Sequence, residues 1–400
     1  MQNPLNNSAS RSEPLATKPF ILVCLATGLG YANQWVMIPL IPLYVHTLGG
    51  STFLAGLAML AFAVPSFTVR PFVGRVADQW SAAGVLGIGL VGLAAGTLIL
   101  LVPGLGFVFI AMMARGLGWA GVNTGGYTTL AMVAPASRRG EAAGYFSSLL
   151  TGASVLFPAL GLWLIEGPVG FQGAFLVATA FGLIGLPLAL GLKKSHRQTN
   201  DAPPAAANAG GSSFIDRGVL LAAGLNLCTS LVSPALMAFM PLYASSLGIA
   251  NIGWFYVLSG ITSIVIRPLL GKQSDAVGRG PAIAIGLGAQ LIGLILIIVA
   301  EGIGLILAGG FFVTLGAALI GATTTALAMD LADPSFRGRA MATFSMSFQM
   351  GAGAGALISG ALADLTGLRG MYMGSVVITF AGLVLLAGAW KSLPRPSLGA

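Results

Sequence analysis

The stretch Arg70-Pro-Phe-Val-Gly-Arg-Val-Ala-Asp78 occurs twice in this chain, the second time as Arg267-Pro-Leu-Leu-Gly-Lys-Gln-Ser-Asp275. The two copies lie 197 residues apart. A second pair keeps nearly the same offset, because Pro42-Leu-Tyr44 matches Pro241-Leu-Tyr243 at 199 residues. Two motifs that are each repeated after nearly the same number of residues indicate that the chain consists of two homologous halves.

The composition indicates that lipid surrounds the protein. Of the 400 residues, 56% are apolar and only 8% are charged, and the mean hydropathy is +0.91. An average soluble chain carries about 25% charged residues. So few charges cannot form a water-facing surface around a chain of this size. The 58 glycines fit the same interpretation, since small residues let membrane helices approach closely. We expect a polytopic membrane protein.

Apolar stretches long enough to cross about 30 Å of hydrocarbon recur along the chain. Backbone groups inside a bilayer must be satisfied within their own segment, so each stretch should be an α-helix. The sequence predicts twelve spans, at residues 20–45, 52–73, 82–103, 105–132, 141–165, 171–192, 218–244, 252–271, 281–300, 303–329, 339–363 and 368–390.

The basic residues predict the orientation of these spans. With both termini in the cytoplasm, 17 of the 19 Lys and Arg residues lie in cytoplasmic segments, as the positive-inside rule requires. Only Arg369 lies in an outer loop, and Arg115 lies within a span. The net charge of +8 therefore reflects topology and does not indicate a nucleic-acid partner. We expect a multi-pass protein of the cell (inner) membrane.

One long polar segment divides the chain. Residues 193–217 contain Pro, Ala, Gly and Ser in a composition that cannot bury enough apolar surface to fold. The predicted organisation is an N-terminal cytoplasmic tail (1–19), a six-helix bundle (20–192), a cytoplasmic linker (193–217), a second six-helix bundle (218–390) and a C-terminal tail (391–400). The fold class is therefore all-α, with two pseudo-symmetric bundles.

The combination of repeat, span number and central linker resembles the major facilitator superfamily. That family carries the motif Gly-x-x-x-Asp-x-x-Gly-Arg after its second helix. Residues Gly271 to Arg279 fit it well, and the first copy keeps Gly74 and Asp78 but has Ser81 where a glycine is expected. The resemblance implies the major facilitator fold, secondary transport by alternating access, and a role for the motif in the gate that closes toward the cytoplasm.

The gate motif also has a physical rationale. Its glycines permit close helix approach, and its aspartates can accept hydrogen bonds from helix N-termini or pair with nearby arginines. The alternative is that these charges only anchor helix ends at the membrane interface. The candidate gating residues are Gly74, Asp78, Arg139, Gly271, Asp275, Arg279 and Arg337.

Arg115 is the only charged residue deep inside a predicted span. It lies ten residues into the span 105–132, about 15 Å along a helix and near the middle of the bilayer. An unpaired arginine there costs at least ~2.5 kcal/mol, so it should face the protein interior and have partners. The resemblance associates an arginine in this helix with proton handling or an anionic substrate. The alternative is an arginine bonded to the carbonyls of a broken helix.

Neutral polar and aromatic side chains at similar depth are candidate partners for Arg115 or for a ligand. The second half has apolar Phe312 or Val313 at the position that matches Arg115. Each polar side chain can equally serve helix packing, with a contribution of ~0.6 kcal/mol. The candidate substrate-binding residues are Asn33, Gln34, Trp35, Arg115, Trp119, Asn226 and Gln349.

Enzymatic and nucleotide-driven functions lack the residues they need. None of the 11 acidic residues lies in mid-span, and the two histidines lie outside the spans. A membrane-embedded enzyme would need convergent carboxylates, histidines or a nucleophile–base pair near the bilayer. There is no Gly-x-x-x-x-Gly-Lys-Ser/Thr loop, and the two cysteines favour neither a disulfide framework nor a metal site. We expect no enzyme activity, no cofactor and no metal.

The sequence thus favours a secondary transporter that exports a small amphipathic or anionic organic compound. Pro158-x-x-Gly161 partly matches a Gly-Pro-x-x-Gly pattern of the antiporter subgroup in the fifth span, with Phe157 in place of the first glycine, which favours export. The alternative is that Gly and Pro only allow a kink and close packing here. Protons are the candidate coupling ion. An importer of a sugar, organic acid or other nutrient is the alternative. The expected partners are the substrate, the bilayer and protons, and the expected state is a monomer.

Overall fold

A computed structural model of the chain describes residues 15–135, 138–196, 219–332, 337–390 and 393. Within these ranges the chain is helical and contains no β-strand, which confirms the all-α prediction. The helices are α1 (Lys18–Thr47), α2 (Thr52–Thr68), α3 (Arg70–Gln79), α4 (Ala82–Ile99), α5 (Leu105–Val133), α6 (Arg139–Glu166), α7 (Gly170–His196), α8 (Leu220–Met237), α9 (Met240–Ser246), α10 (Gly253–Val277), α11 (Arg279–Ile298), α12 (Ile303–Leu331) and α13 (Arg337–Gly388).

The twelve predicted spans are consistent with these helices. Among the described residues, nine helices are long and apolar enough to cross a bilayer, and the pair α2–α3, bent by 43°, forms a tenth candidate. α13 consists of two helices joined at Gly367, whose φ of 81° interrupts the helical backbone. α10 contains the shorter apolar segment Gly253–Ile266, and α8 with α9 covers the seventh span.

The domain boundaries lie mostly beyond the described residues. α7 extends to His196, one helical turn past the predicted start of the linker at residue 193. The rest of that linker, and most of both predicted tails, fall outside the described ranges. The boundaries therefore stay predictions.

The same hydrogen bond occurs in both halves of the chain. The hydroxyl of Tyr44 donates to the carbonyl of Leu100 at 2.9 Å, and the hydroxyl of Tyr243 donates to the carbonyl of Ile297 at 2.9 Å. Both tyrosines end a Pro-Leu-Tyr motif, and each anchors its motif to the end of a helix, α4 or α11. The sequence repeat is thus a structural repeat.

Glycines bring equivalent helices together in each half. A methyl group on Gly118 of α5 would lie 2.5 Å from the backbone nitrogen of Leu93 in α4. In the second half, a methyl group on Gly293 of α11 would lie 2.5 Å from the carbonyl oxygen of Gly309 in α12. Backbone contacts this close require residues without a side chain, as is common where membrane helices pack.

The two halves pack closely at one end of the bundle. We call the end where α1 and α6 begin the tail side and the opposite end the far side. On the far side, a methyl group on Gly360 of α13 would lie 2.5 Å from the carbonyl oxygen of Thr52, and the backbone nitrogen of Thr52 donates to Asp364 Oδ1 at 2.8 Å. Gly260 of α10 likewise packs against the side chain of Val155 in α6.

On the tail side the halves are separated. A methyl group on Gly144 or Gly152 of α6 would have no neighbour within 4 Å, and the same holds for Gly74 of α3. Among the described residues, the close contacts between the halves lie at the far side and, where Gly353 of α13 packs on Ala63 of α2, near the middle, so the space between the halves widens toward the tail side.

We predict that Gly360→Leu shifts the protein away from this far-side-closed conformation, because the added side chain overlaps the backbone of α2. Double electron–electron resonance should report longer distances between a label at the far-side start of α2 and a label near the break of α13 at Gly367. Gly144→Leu, which meets open space, is the matched control and should leave the far-side distances unchanged. Unaltered distances in Gly360→Leu would contradict the packing described above.

Candidate functional site

A cavity of about 800 Å³ lies between the two halves. Its volume falls within the range of about 300–1,000 Å³ that is typical of sites for small organic ligands. The first half contributes Trp35 of α1, Arg70 of α3, Asn123 and Tyr127 of α5, and Ser154 of α6. The cavity is therefore bounded by helices from both repeats, where transporters built from repeats bind their substrates.

The second half supplies the rest of the described wall. Among the described residues that line the cavity there is no carboxylate. The second-half wall combines apolar side chains with neutral polar ones, which include Asn226, Thr229, Ser230, Ser263, Thr314 and Gln349.

Three of the predicted substrate-binding residues line this cavity: Trp35, Asn226 and Gln349. Asn226 also joins two helices, because its Nδ2 donates to Ser347 Oγ at 2.9 Å. The cavity can therefore accept a ligand through amide, hydroxyl and indole groups on a partly apolar wall.

Arg115 lies in a separate polar network inside the first half. Its side chain is 1% exposed. Nη1 donates to Asn33 Oδ1 at 2.8 Å and to Thr97 Oγ1, and Nη2 donates to Gln34 Oε1 at 2.9 Å. Asn33 Nδ2 in turn donates to the carbonyl of Ala178 at 2.6 Å. The network thus connects α1, α4, α5 and α7.

Arg115 and Gln34 border a small cavity of about 30 Å³ and not the large one. A cavity of that size has room for about one water molecule. Trp119, also predicted to contact substrate, packs its ring on Tyr31 with centroids 4.6 Å apart. The predicted cluster around Arg115 is thus divided: Asn33, Gln34 and Arg115 bind one another, outside the large cavity.

The second half has no arginine at the equivalent place. Gly96 of α4 contacts the Arg115 side chain, and Gly293 of α11 contacts the Val313 side chain in the same manner. Val313 is therefore the structural equivalent of Arg115, and it lines the large cavity. The charge that the first half buries has no counterpart in the second.

Arg70 lines the cavity although its place in the sequence does not indicate this. It lies near the end of the span 52–73 and belongs to the cytoplasmic set of basic residues. Pro71 follows it in the first turn of α3, where α2 and α3 meet at 43°, and proline cannot donate the hydrogen bond that would continue a straight helix. This bend places Arg70 on the cavity wall. Its Nε and Nη2 atoms are buried without a hydrogen-bond acceptor.

The predicted gate residues of the first half are not engaged in this conformation. Asp78 and Arg139 are exposed, and neither takes part in an ion pair among the described residues. The neighbouring Arg138 donates from Nε and Nη2 to the two oxygens of Glu141, at 2.7 and 2.8 Å. The first half therefore offers an exposed aspartate on the open tail side.

The second gate copy is only partly described. Arg279, at the start of α11, donates from Nε to Asp330 Oδ2 at 3.0 Å and so links α11 to the end of α12. The surroundings of the Gly271, Asp275 and Arg337 side chains lie outside the described part of the chain. The predicted pairing of the second-copy aspartate with a nearby arginine therefore stays a prediction.

No metal site accompanies these groups in the described ranges. There, His, Cys, Asp and Glu residues nowhere form a group of three or more that could hold a metal ion.

Comparison with known proteins assigns the chain to one protein family. A model of the Major Facilitator Superfamily matches residues 23–266 and 222–400. The Staphylopine export protein of Staphylococcus aureus is 23% identical over 95% of this chain and 98% of its own. The Quinolone resistance protein NorA of the same species is 26% identical over 92% and 94%.

Solved structures share the fold. A bacterial homolog of the human lysosomal transporter Spinster, in an inward-facing and occupied conformation, superposes with a TM-score of 0.76 at 13% identity and covers 96% of this chain and 100% of its own. The nucleoside transporter NupG superposes with a TM-score of 0.73 at 14% identity over 92% and 99%.

We predict that Arg115→Met destabilises the protein by about 2 kcal/mol or more. The substitution leaves the acceptor oxygens of Asn33 and Gln34 buried without a donor, and each such group costs about 1–3 kcal/mol. Thermal unfolding in detergent checks this. Arg75→Met is the control, since Arg75 is exposed on α3 and should leave the midpoint unchanged. Equal midpoints for both variants would show that the network does not stabilise the fold.

Proposed function

The chain belongs to the major facilitator superfamily, and from that premise we propose that it is a secondary active exporter of a small amphipathic or anionic organic compound, exchanged for protons. The observation that carries the proposal is the cavity of about 800 Å³ between two homologous halves, which are joined at the far side and separated at the tail side. A binding site shared by two repeats can face each side of a membrane in turn when the repeats rock.

The tail side is the cytoplasmic side in this proposal. Lys and Arg residues concentrate in the segments at that end, as is typical of cytoplasmic loops. Both termini are then cytoplasmic, the protein is a monomer of the cell (inner) membrane, and the open cavity receives its substrate from the cytoplasm.

Export is supported by two relatives of nearly full length. One is a Staphylopine export protein, whose description names export, and the other is a Quinolone resistance protein, whose description names drug resistance. The chemical character of the wall agrees with a compound that has apolar surface and a few polar groups, since amide and hydroxyl side chains alternate with Trp35, Leu236 and Phe344.

Proton exchange is supported by the antiporter-like pattern in α6. Pro158 and Gly161 lie inside that helix, and Gly161 packs against Val36 of α1, with a methyl group on it 2.8 Å from the Val36 carbonyl oxygen. This contact joins α6 to α1 within the first half.

The residues proposed to close the tail side in the alternate conformation are the gate residues Gly74, Asp78, Arg139, Gly271, Asp275, Arg279 and Arg337.

The substrate set in this proposal is Trp35, Asn226 and Gln349 at the cavity wall. Asn33, Gln34 and Arg115 act with them by fixing the position of α1, the helix that carries Trp35. Trp119 supports the same helix through its contact with Tyr31.

We predict that purified protein in weakly buffered vesicles moves protons when a transported compound is added. The assay uses an entrapped pH indicator and a panel of quinolones, opine-type amino acids and hydrophobic acids. Antiport gives proton movement opposite in direction to the compound. Gln349→Leu should reduce the rate about tenfold or more, because one charge-neutral hydrogen bond contributes about 0.5–1.5 kcal/mol and an unpaired ligand group costs more.

Other outcomes separate the alternatives. Protons that move together with the compound indicate an importer of the symporter type. A compound that crosses without protons indicates a uniporter. A label that reaches residues 197–217 only from outside the cell would invert the topology and contradict the proposal.

A further inference from the structure

We propose that Arg70 is the anion-recognition residue of the large cavity, and that the transported compound is an amphipathic organic acid whose carboxylate binds there. This inference rests on the proposed transport function and names the substrate class of the same cavity. Arg70, at the bend between α2 and α3, then recognises the substrate, and Arg115 fixes the position of α1.

Two arginines of the first half, buried Arg115 and half-buried Arg70, differ in how their hydrogen bonds are satisfied. Arg115 donates from Nη1 and Nη2 to three side-chain oxygens, those of Asn33, Gln34 and Thr97, and only its Nε lacks an acceptor. Arg70 has no hydrogen bond to any described residue, and its Nε and Nη2 atoms are enclosed without an acceptor. An arginine that needs acceptors and lines a ligand-sized cavity is suited to bind them from a ligand.

The acceptor that best fits the Arg70 guanidinium is a carboxylate. The guanidinium presents parallel N–H groups that match the two oxygens of a carboxylate. No described carboxylate lines the cavity to take that place. An arginine in a weakly polar environment without a counter-ion is costly, so a ligand that supplies the negative charge gains affinity by neutralising it.

The neighbours of Arg70 favour an acid that also has an aromatic or apolar part. Tyr127, Asn123 and Trp35 line the same cavity, and the side chains of the first two are hydrogen-bond donors. Asn123 Nδ2 donates to the hydroxyl of Tyr31 at 2.8 Å, and Tyr31 packs on Trp119. The rings of Trp35 and Tyr127 lie on the wall of the same cavity as this cation, where they can bury the hydrophobic part of the acid.

The bend between α2 and α3 positions Arg70 at the cavity wall. α3 begins at Arg70, so the residue is held at a helix start next to Pro71 and does not extend from the middle of a straight helix. Arg75, on the same helix, is exposed and does not line the cavity, which makes it a matched control for charge on α3.

The experiment measures binding in detergent, without any ion gradient. Full-length protein is titrated with three acids, indole-3-acetate, salicylate and N-acetyl-tryptophan, and with the carboxamide of each, and the thermal unfolding midpoint is followed, since a ligand that binds the folded state raises it. Acids should raise the midpoint at concentrations about tenfold to hundredfold lower than their amides, as expected for a hydrogen-bonded charge pair.

The variants separate recognition from folding. Arg70→Gln should abolish the preference for acid over amide, Arg70→Lys should keep part of it, and Arg75→Gln should keep all of it. The proposal is overturned if Arg70→Gln retains the preference, or if the wild-type protein prefers none of the three acids to its amide. Because no transport is measured, this result is independent of whether the protein exports or exchanges protons.

Discussion

A polar group inside a bundle surrounded by lipid has to find its partner within the protein or in a ligand. Two arginines of the first half meet this constraint in opposite ways. Arg115 is bound by amide and hydroxyl oxygens from α1 and α4, and so it fixes the helices of one bundle. Arg70 lies at the cavity wall, and its Nε and Nη2 atoms have no acceptor among the described residues. One charge stabilises the structure and the other remains for a ligand.

The contacts between the halves explain how a site with this charge can change its exposure. Backbone-close packing of Gly360 on α2 and the Asp364 cap on Thr52 hold the far side together. On the tail side, Gly144 and Gly152 have no neighbours. Because each half keeps its own glycine-packed core, such as α4 with α5, the halves can move as rigid bodies while only the contacts between them change.

Much of the fold could be predicted from the sequence, because it follows from quantities that a linear chain displays. Span length, the sidedness of basic residues and the repeated Pro-Leu-Tyr motif needed no three-dimensional information. The depth of Arg115 was equally accessible, since each helical residue rises 1.5 Å. Depth does not give direction around the helix axis, however. Asn33 and Gln34 therefore emerged as candidate ligand contacts beside Trp35, although they face Arg115 and Trp35 faces the cavity. Arg70 escaped notice because the bend at Pro71 redirects it.

The most direct measurement is an experimental structure of the protein with one of the transported compounds bound. We expect a negatively charged group of the compound at about 3 Å from the Arg70 guanidinium, the usual distance of a charged hydrogen bond, with the hydrogen bonds from Arg115 to Asn33 and Gln34 intact. A compound whose charged group displaces Asn33 or Gln34 from Arg115, with Arg70 still without a partner, would contradict this expectation.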